Sequence, residues 1–399
     1  MHLRSYLKHR HFKHNTAGVS YTGKQLSAFY GFPKGFDGTG KNVAVIELGG
    51  SFSQTDLDKY FTSLGLSVKP VIFHSIDGAK NTPTVVNDAD GEVMLDLCVI
   101  GAAAPGAQMH CYTALNTDAS FLKAIEQAIT DKMDAISISW GAAEDQWAAA
   151  SLTSFNAAFL QAANAGITVT VAAGDNGSTD GEKGAHVDFP ASSPYVLGCG
   201  GTSLPTMSPS GEVVWNDGTA GGATGGGVSA KFALPTWQAN ANVPGGTHRG
   251  VPDVAAVADP ETGWNIICNG ASQVFGGTSA VAPFMAAMAV VLSQALGRNV
   301  GFLPGVMYSL TSGFRDITSG NNGTYIARVG YDDCTGLGAP QADKLLAALQ
   351  GSAPPVPPPA PTPVPVPTPT PAPTPPPAAT TRTIVVTGAT KVTVDGKTV

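Results

Sequence analysis

An α/β domain built on a mostly parallel sheet, with helices on both faces, is the fold this sequence predicts, and three observations carry it. Strand-like and helix-like segments alternate along roughly the first 175 residues. The strand segments are apolar throughout instead of alternating with polar residues, as a sheet buried on both faces requires. Residues 16–350, between a basic leader and a proline-rich stretch, suffice for one large domain with a sizeable core.

Asn42–Leu48 (NVAVIEL) reads as a strand that ends at Gly49-Gly50. A helix over Thr55–Leu64 follows, with Ser53 and Thr55 as capping candidates. Glu92–Ala103 is a second helix, stopped by Pro105-Gly106 ahead of strand Gln108–Thr113. A third, Ser120–Lys132, precedes strand Ala135–Trp140, and the Ala-rich helix Gln146–Ala165 precedes strand Ile167–Ala173. Glycine-rich loops and brief strands fill residues 175–275, the kind of segment on which function tends to sit. An apolar helix, Ser279–Leu296, closes at Gly297, and an amphipathic helix, Ala342–Leu349, ends the domain.

Outside that domain the composition changes. Residues 1–15 form a basic leader whose first 14 residues hold four Lys/Arg, four of the eight His and no acid. Residues 351–380 hold 15 of the 30 Pro and no charge, which reads as a polyproline-II spacer. Residues 381–399 alternate Val and Thr around Asp395-Gly396, a hairpin signal too short to fold alone. Both flanks are neutral or basic, so the domain is more acidic than the net charge of -7, which argues against nucleic acid as a partner.

No run approaches the roughly 18 consecutive apolar residues of a membrane span, so no membrane partner is expected, and a monomer is. The basic start runs into His11-Phe12-Lys13-His14 without the apolar stretch of a secretory signal. The expectation is a chain that stays in the cell or is the downstream part of a longer precursor. Cys98, Cys111, Cys199, Cys268 and Cys334 are odd in number and unclustered, neither a disulfide framework nor a zinc pattern.

Chemistry is suggested first by Gly276-Gly277-Thr278-Ser279-Ala280-Val281-Ala282-Pro283. Ser279 is either a helix N-cap or a nucleophile. For the second role, two glycines admit a substrate backbone, and a helix N-terminus supplies N–H donors for a developing oxyanion. Pro283 in the opening turn leaves one carbonyl without its helical donor. A serine nucleophile needs a base. Beyond the leader the histidines are His74, His110, His186 and His248, each in a strand or loop.

The early helix instead carries Asp90, Glu92 and Asp96, and from Val93 through Ile100 Asp96 is its sole polar residue. Glu92 and Asp96 stand one turn apart on one face. The helix dipole accounts for acids at its start but not for Asp96 a turn deeper, and burying two like charges is costly. This favours a functional reading. Asp175, in Ala173-Gly174-Asp175-Asn176-Gly177, is either part of an ordinary turn or a carboxyl at the C-terminal edge of a parallel sheet, where α/β folds build sites. There it can donate to an oxyanion only while protonated.

Together, in this order, these pieces resemble the sedolisins, the serine-carboxyl peptidases, and especially their kumamolisin-like members. The resemblance runs from about Tyr21 to Leu349. It includes Asp90-Gly91-Glu92 with Leu95-Asp96, Ala102-Ala103-Ala104-Pro105-Gly106-Ala107, Ser137-Ile138-Ser139-Trp140-Gly141, Ala173-Gly174-Asp175, His186-Val187-Asp188-Phe189-Pro190, Val251-Pro252-Asp253-Val254 and Gly277-Thr278-Ser279. It implies a subtilisin-like fold with Ser279 as nucleophile, Glu92 as general base and then acid, and Asp96 orienting Glu92. Asp175 would join the Ser279 N–H in the oxyanion hole. It further implies that Ser139, Trp140 and Gly141 line the substrate strand by backbone pairing and that Asp188 sits in the specificity pockets. Core aromatic and surface acid are the plainer readings of Trp140 and Asp188.

The resemblance also implies one structural Ca²⁺, held by Asp316 and Asp332 and the main-chain carbonyls of Ile317, Arg328 and Gly330, a hard oxygen shell. Related sequences often have Gly at the position of Arg328, and Asp333 is a competing acid; solvated surface acids are the alternative. The family's N-terminal prosegment blocks its own site, and residues 1–15 read as its remnant or as a plain tail. Partners are then protein and peptide substrates and the chain's own prosegment. Secretion follows from the family and the uncharged linker. Ordinary Glu and His differ by about two pKa units, so a carboxylate base points to acidic action. The rivals are a Ser/His/Asp peptidase, which lacks a helix-borne His here, and a binding protein on a decayed peptidase scaffold.

Overall fold

Eight strands form the main sheet: β1 (Asn42–Glu47), β2 (Ile72–Ser75), β3 (Gln108–Thr113), β4 (Ala135–Ile138), β5 (Thr168–Ala172), β6 (Leu197–Ser203), β7 (Val213–Val214) and β8 (Val254–Val257). Their order is β8-β6-β5-β4-β1-β3-β2, with β7 paired to β6. Every pairing in the main path is parallel, and only the short β7 runs antiparallel. This computed structural model describes residues 19–83, 88–310, 312–351, 388, 393–394 and 397–398.

The helices of seven or more residues are α1 (Gly23–Phe29), α2 (Gln54–Ser63), α3 (Asp88–Ala103), α4 (Asp118–Thr130), α5 (Ala149–Asn164), α6 (Val281–Leu296) and α7 (Ala342–Gln350). They cover both faces because consecutive strand residues point to opposite sides. Val43 and Val45 of β1 enter a core with Leu97 of α3, Phe284 of α6 and Leu345 of α7. Ala44 and Ile46 enter the opposite core with Phe121 of α4 and Phe155 of α5. The fold is the expected α/β class, with element ends shifted by a few residues. Ser53 caps α2 by accepting from the Asp56 amide, whereas Thr55 lies inside the helix. Strand β4 stops at Ile138, so Ser139 and Trp140 fall in the loop beyond it.

One further expectation needs correction. The segment Thr278–Leu296 is long and apolar enough to cross a membrane, which a search for unbroken apolar runs passes over; it is the buried centre of one core layer, with Val281–Ser293 out of solvent. Its first turn, Thr278–Ala280, is a 3₁₀ turn and not the start of the α-helix. The stretch Ala360–Val399 is a separate unit, in which Thr393–Val394 pairs antiparallel with Lys397–Thr398 across the expected turn. The leader 1–15 and all but the first residue of the spacer 351–380 lie outside the described residues.

Candidate active site

The C-terminal ends of β1, β4 and β5 share one edge of the sheet, and the chain places an acid or hydroxyl just beyond each. Glu47 ends β1, Ser139 and Trp140 follow β4, and Asp175 follows β5. Helix α3 lies over this edge against α6 and the 3₁₀ turn that holds Ser279. From Gly91 to Ala103 helix α3 is buried all round, so Glu92 and Asp96 are carried into the interior at 1% and 0% exposure. Glu92 then faces the hydroxyls of Ser279 and Ser139, both of which favour its anion. Burial dominates all the same and pushes Glu92 up to about 8, with the charge of Asp175 adding to the effect. Asp96 is raised well above the usual range by burial, then by Glu92 and Glu47.

Ser139 joins the helix to the nucleophile turn. Its Oγ lies 2.8 Å from Asp96 Oδ2 and 3.2 Å from the Ser279 carbonyl. That carbonyl is the one Pro283 leaves without an N–H, because proline four residues on has none to give. One hydroxyl proton does not serve both acceptors at full strength. The shorter contact, to Asp96 Oδ2, has Ser139 as donor, and the Ser279 carbonyl takes the longer one.

Asp175 is half-buried, and its Oδ1 accepts from both the amide and the hydroxyl of Thr278 at 2.8 Å. Thr278 Oγ1 in turn accepts from the Gly174 amide at 3.1 Å. These bonds hold the end of β5 to the nucleophile turn. Gly277 has φ +103°, and a Cβ there would meet Asp175 Oδ2, so only glycine fits.

Glu47 was not anticipated. It is fully buried, its Oε2 accepts from the Trp140 indole N–H at 2.8 Å, and its pKa is raised well above the usual range by burial and by Glu92. The signal was present as the one charged residue in the apolar run NVAVIEL, but period and propensity treat it as the polar end of a strand. The side chains of Ser139 and Trp140 turn inward, to Asp96 and Glu47, so only backbone remains there to line a substrate. Gly141 abuts the Asp188 carboxylate, where a Cβ would collide with it.

Asp188 is buried and not a surface acid. Its pKa is raised well above the usual range, first by burial and then by Asp180, Asp175 and Glu144. Asp180 and Glu144 are likewise buried, and neither was singled out in the sequence. The histidines beyond the leader lie elsewhere: His74 bonds to His110 across β2 and β3, His186 to the Lys183 carbonyl, and His248 to Thr247.

The residues expected at the metal converge in part. Asp316 Oδ2 accepts from the Gly330 amide at 2.8 Å, and Asp332 Oδ2 from the Arg328 amide at 3.1 Å, so both carboxylates clasp one turn. The left-handed residue of that turn is Gly330, at φ +81°, and not Arg328, which therefore needs no glycine. Asp333 points to the Tyr331 hydroxyl instead of competing. Ile317 is buried, leaving its main chain to contribute. No group of three or more His, Cys, Asp or Glu side chains is set to hold a metal among the described residues. The expected shell has only two such side chains, completed by carbonyls, and the residues present fit a hard cation.

Residues 79–304 match the Subtilase family. The chain is 51% identical over 360 residues to kumamolisin of Bacillus sp. (strain MN-32), covering 85% of this chain and 65% of that protein. It is 32% identical over 346 residues to sedolisin of Pseudomonas sp. (strain 101), covering 78% of this chain and 58% of that protein. The chain thus spans less than two thirds of the length of these relatives. A solved structure of Pseudomonas sedolisin, a serine-carboxyl proteinase complexed with two molecules of pseudo-iodotyrostatin, superposes with a TM-score of 0.75 at 30% identity, over 84% of this chain and 99% of that one. Fold, site geometry and kinship agree: this chain belongs to the sedolisin family, of kumamolisin-like type, on a subtilisin-like fold.

Proposed function

We propose that the protein is a secreted, acid-acting serine endopeptidase that cuts protein and peptide substrates through an acyl-enzyme. The observation that carries this is the approach of the Ser279 hydroxyl, at a helix start, to the buried carboxylate of Glu92, whose anion it favours. Glu92 takes the Ser279 proton as Oγ bonds to the scissile carbonyl carbon, then returns it to the departing amine; water repeats the sequence on the ester. Asp96, held by Ser139, positions Glu92. Asp175, protonated, and the Ser279 N–H receive the oxyanion, and the backbone of Ser139, Trp140 and Gly141 pairs with the substrate strand, with Asp188 beside it.

Acid action is supported less by ordinary Glu and His values than by crowding. Glu47, Glu92 and Asp96 are buried and raise one another, so they do not all ionise together and protons are retained among them. The hydroxyls of Ser279 and Ser139 favour the anion at Glu92, so the charge the group carries is placed there.

A Ca²⁺ held by Asp316, Asp332 and the carbonyls of Ile317, Arg328 and Gly330 would neutralise two acids and tie the 316–317 segment to the 328–332 turn, a structural role. The leader 1–15 as a prosegment remnant, cut on activation, and a monomeric state belong to the same proposal.

Cleavage of a denatured protein at pH 4 by the wild type and by Ser279→Ala tests it. Turnover lost by more than about 10³-fold in the variant, with a pH–rate maximum below 6, is expected. A maximum near pH 8, or undiminished activity in the variant, overturns it.

A further inference from the structure

We propose that His74 and His110, side by side on the adjacent strands β2 and β3, form a two-imidazole site for a divalent transition metal of the Cu²⁺ or Ni²⁺ kind. His74 Nε2 lies 3.0 Å from His110 Nδ1. The pair is remote from the peptidase chemistry. His110 bonds to Asn42, the first residue of β1, whereas Glu47, Ser139 and Asp175 lie at the C-terminal ends of their strands.

Hydrogen bonding selects the nitrogen that faces His74. The His110 Nε2–H donates to Asn42 Oδ1 at 3.2 Å, so in the neutral ring the lone pair sits on Nδ1, the atom aimed at His74. A ring nitrogen tied to an amide oxygen in this way orients a histidine ligand from behind. The His74 ring is fixed as well, stacked on Tyr112 with 4.1 Å between centroids and 7° between planes. Tyr112 in turn donates to Asp131 at 2.7 Å, and that carboxylate acts on both imidazoles, so a cation beside them meets a counter-charge. Burial holds both rings below the ordinary imidazole value, which keeps them in the neutral form that ligates.

In the metal-free pair the His74 Nε2–H donates to His110 Nδ1. Metal binding moves that proton to His74 Nδ1, a change of tautomer without a change of charge, and the ion takes the two facing lone pairs. With metal–nitrogen bonds of about 2.1 Å, nitrogens 3.0 Å apart subtend roughly 90°. That is the cis angle of square-planar and octahedral shells and is narrower than a tetrahedral zinc site asks for, which favours Cu²⁺ and Ni²⁺. Among the described residues no group of three His, Cys, Asp or Glu side chains is placed to hold a metal, so water completes the shell. Access is open, because β2 is the last strand of the sheet and Ile72, paired with His110, is 43% exposed.

Ni²⁺ titrated at pH 7.5 into the full-length Ser279→Ala protein, which cannot digest itself, and into the same protein carrying His74→Gln or His110→Gln, decides the matter. The leader histidines are present in all three proteins and cancel from the comparison. One site of the parent is expected to weaken at least about tenfold in each variant, and about tenfold in Asn42→Ala, which loses the orienting amide. Ni²⁺ is also expected to raise the Tm of the parent alone, since only there does it tie β2 to β3. Unchanged affinity in both variants, a loss in only one of them, or a Tm rise of equal size in all three overturns the inference while the peptidase reading stands.

Discussion

Ser139 Oγ stands 2.8 Å from the Asp96 carboxyl and also reaches the Ser279 carbonyl, so one hydroxyl connects the deeper helix acid to the backbone of the nucleophile. Ser139→Ala removes the partner of a fully buried acid and of a carbonyl that proline has already deprived of a donor. The expected cost is about 1–3 kcal/mol in urea unfolding at pH 4, with a fall in kcat larger than any change in KM. An unchanged midpoint would show that the hydroxyl is a spectator.

Stability should fall as pH rises. Burial raises Glu92 to about 8, Asp333 to about 7 and Asp259 to about 6, and moves Glu47, Asp96 and Asp188 in the same direction. For a carboxyl whose folded pKa lies above its unfolded value, the folded state holds the proton more tightly. Its contribution is complete below the unfolded pKa near 4 and is lost as pH climbs through the folded value. With Ser279→Ala used to prevent self-digestion, unfolding free energy is expected to drop by a few kcal/mol, on the order expected for raised carboxyls, between pH 4 and pH 8. A rise over that window would contradict it.

Gly277→Ala forces φ +103° on a residue with a Cβ and drives that Cβ against Asp175. Roughly 1–3 kcal/mol of stability should be lost. Because Thr278 and Ser279 follow directly, a displacement of about 1 Å there costs on the order of 10²-fold in kcat. Kinetics on a peptide nitroanilide together with thermal unfolding measure the two effects separately.

Arg249 and Asp253 are both fully buried and form an ion pair at 2.6 Å, with Asp253 also accepting from the Gly198 amide and the Tyr308 hydroxyl. Arg249→Ala leaves that carboxylate buried without its counter-charge. A loss of about 3–5 kcal/mol in chemical denaturation is expected. Replacing both residues with apolar ones should cost less than Arg249→Ala alone, which a double-mutant cycle tests.

For the cation, a chelator added to the calcium-loaded protein is expected to lower Tm, by the equivalent of about 2.7 kcal/mol when calcium had stood at a hundred times its Kd. Asp316→Asn should abolish that difference while keeping the side-chain shape. A chelator-insensitive Tm would remove calcium from the account.

The order of elements, the two-sided burial of the sheet and the identities of Ser279, Glu92, Asp96 and Asp175 were readable from the sequence, because each depends on neighbours within a turn or strand. The 3.6-residue period sets Glu92 and Asp96 on one face whatever the helix packs against. Glycines before Ser279 and acids in an apolar helix are likewise local facts. Tertiary structure alone decided which distant groups meet. It brought Glu47 from the first strand under Glu92, turned Ser139 and Trp140 inward, and buried Asp188 among Asp180, Asp175 and Glu144. The physical reason is that charge–charge coupling and desolvation depend on distances across strands far apart in the chain, which neither periodicity nor propensity encodes.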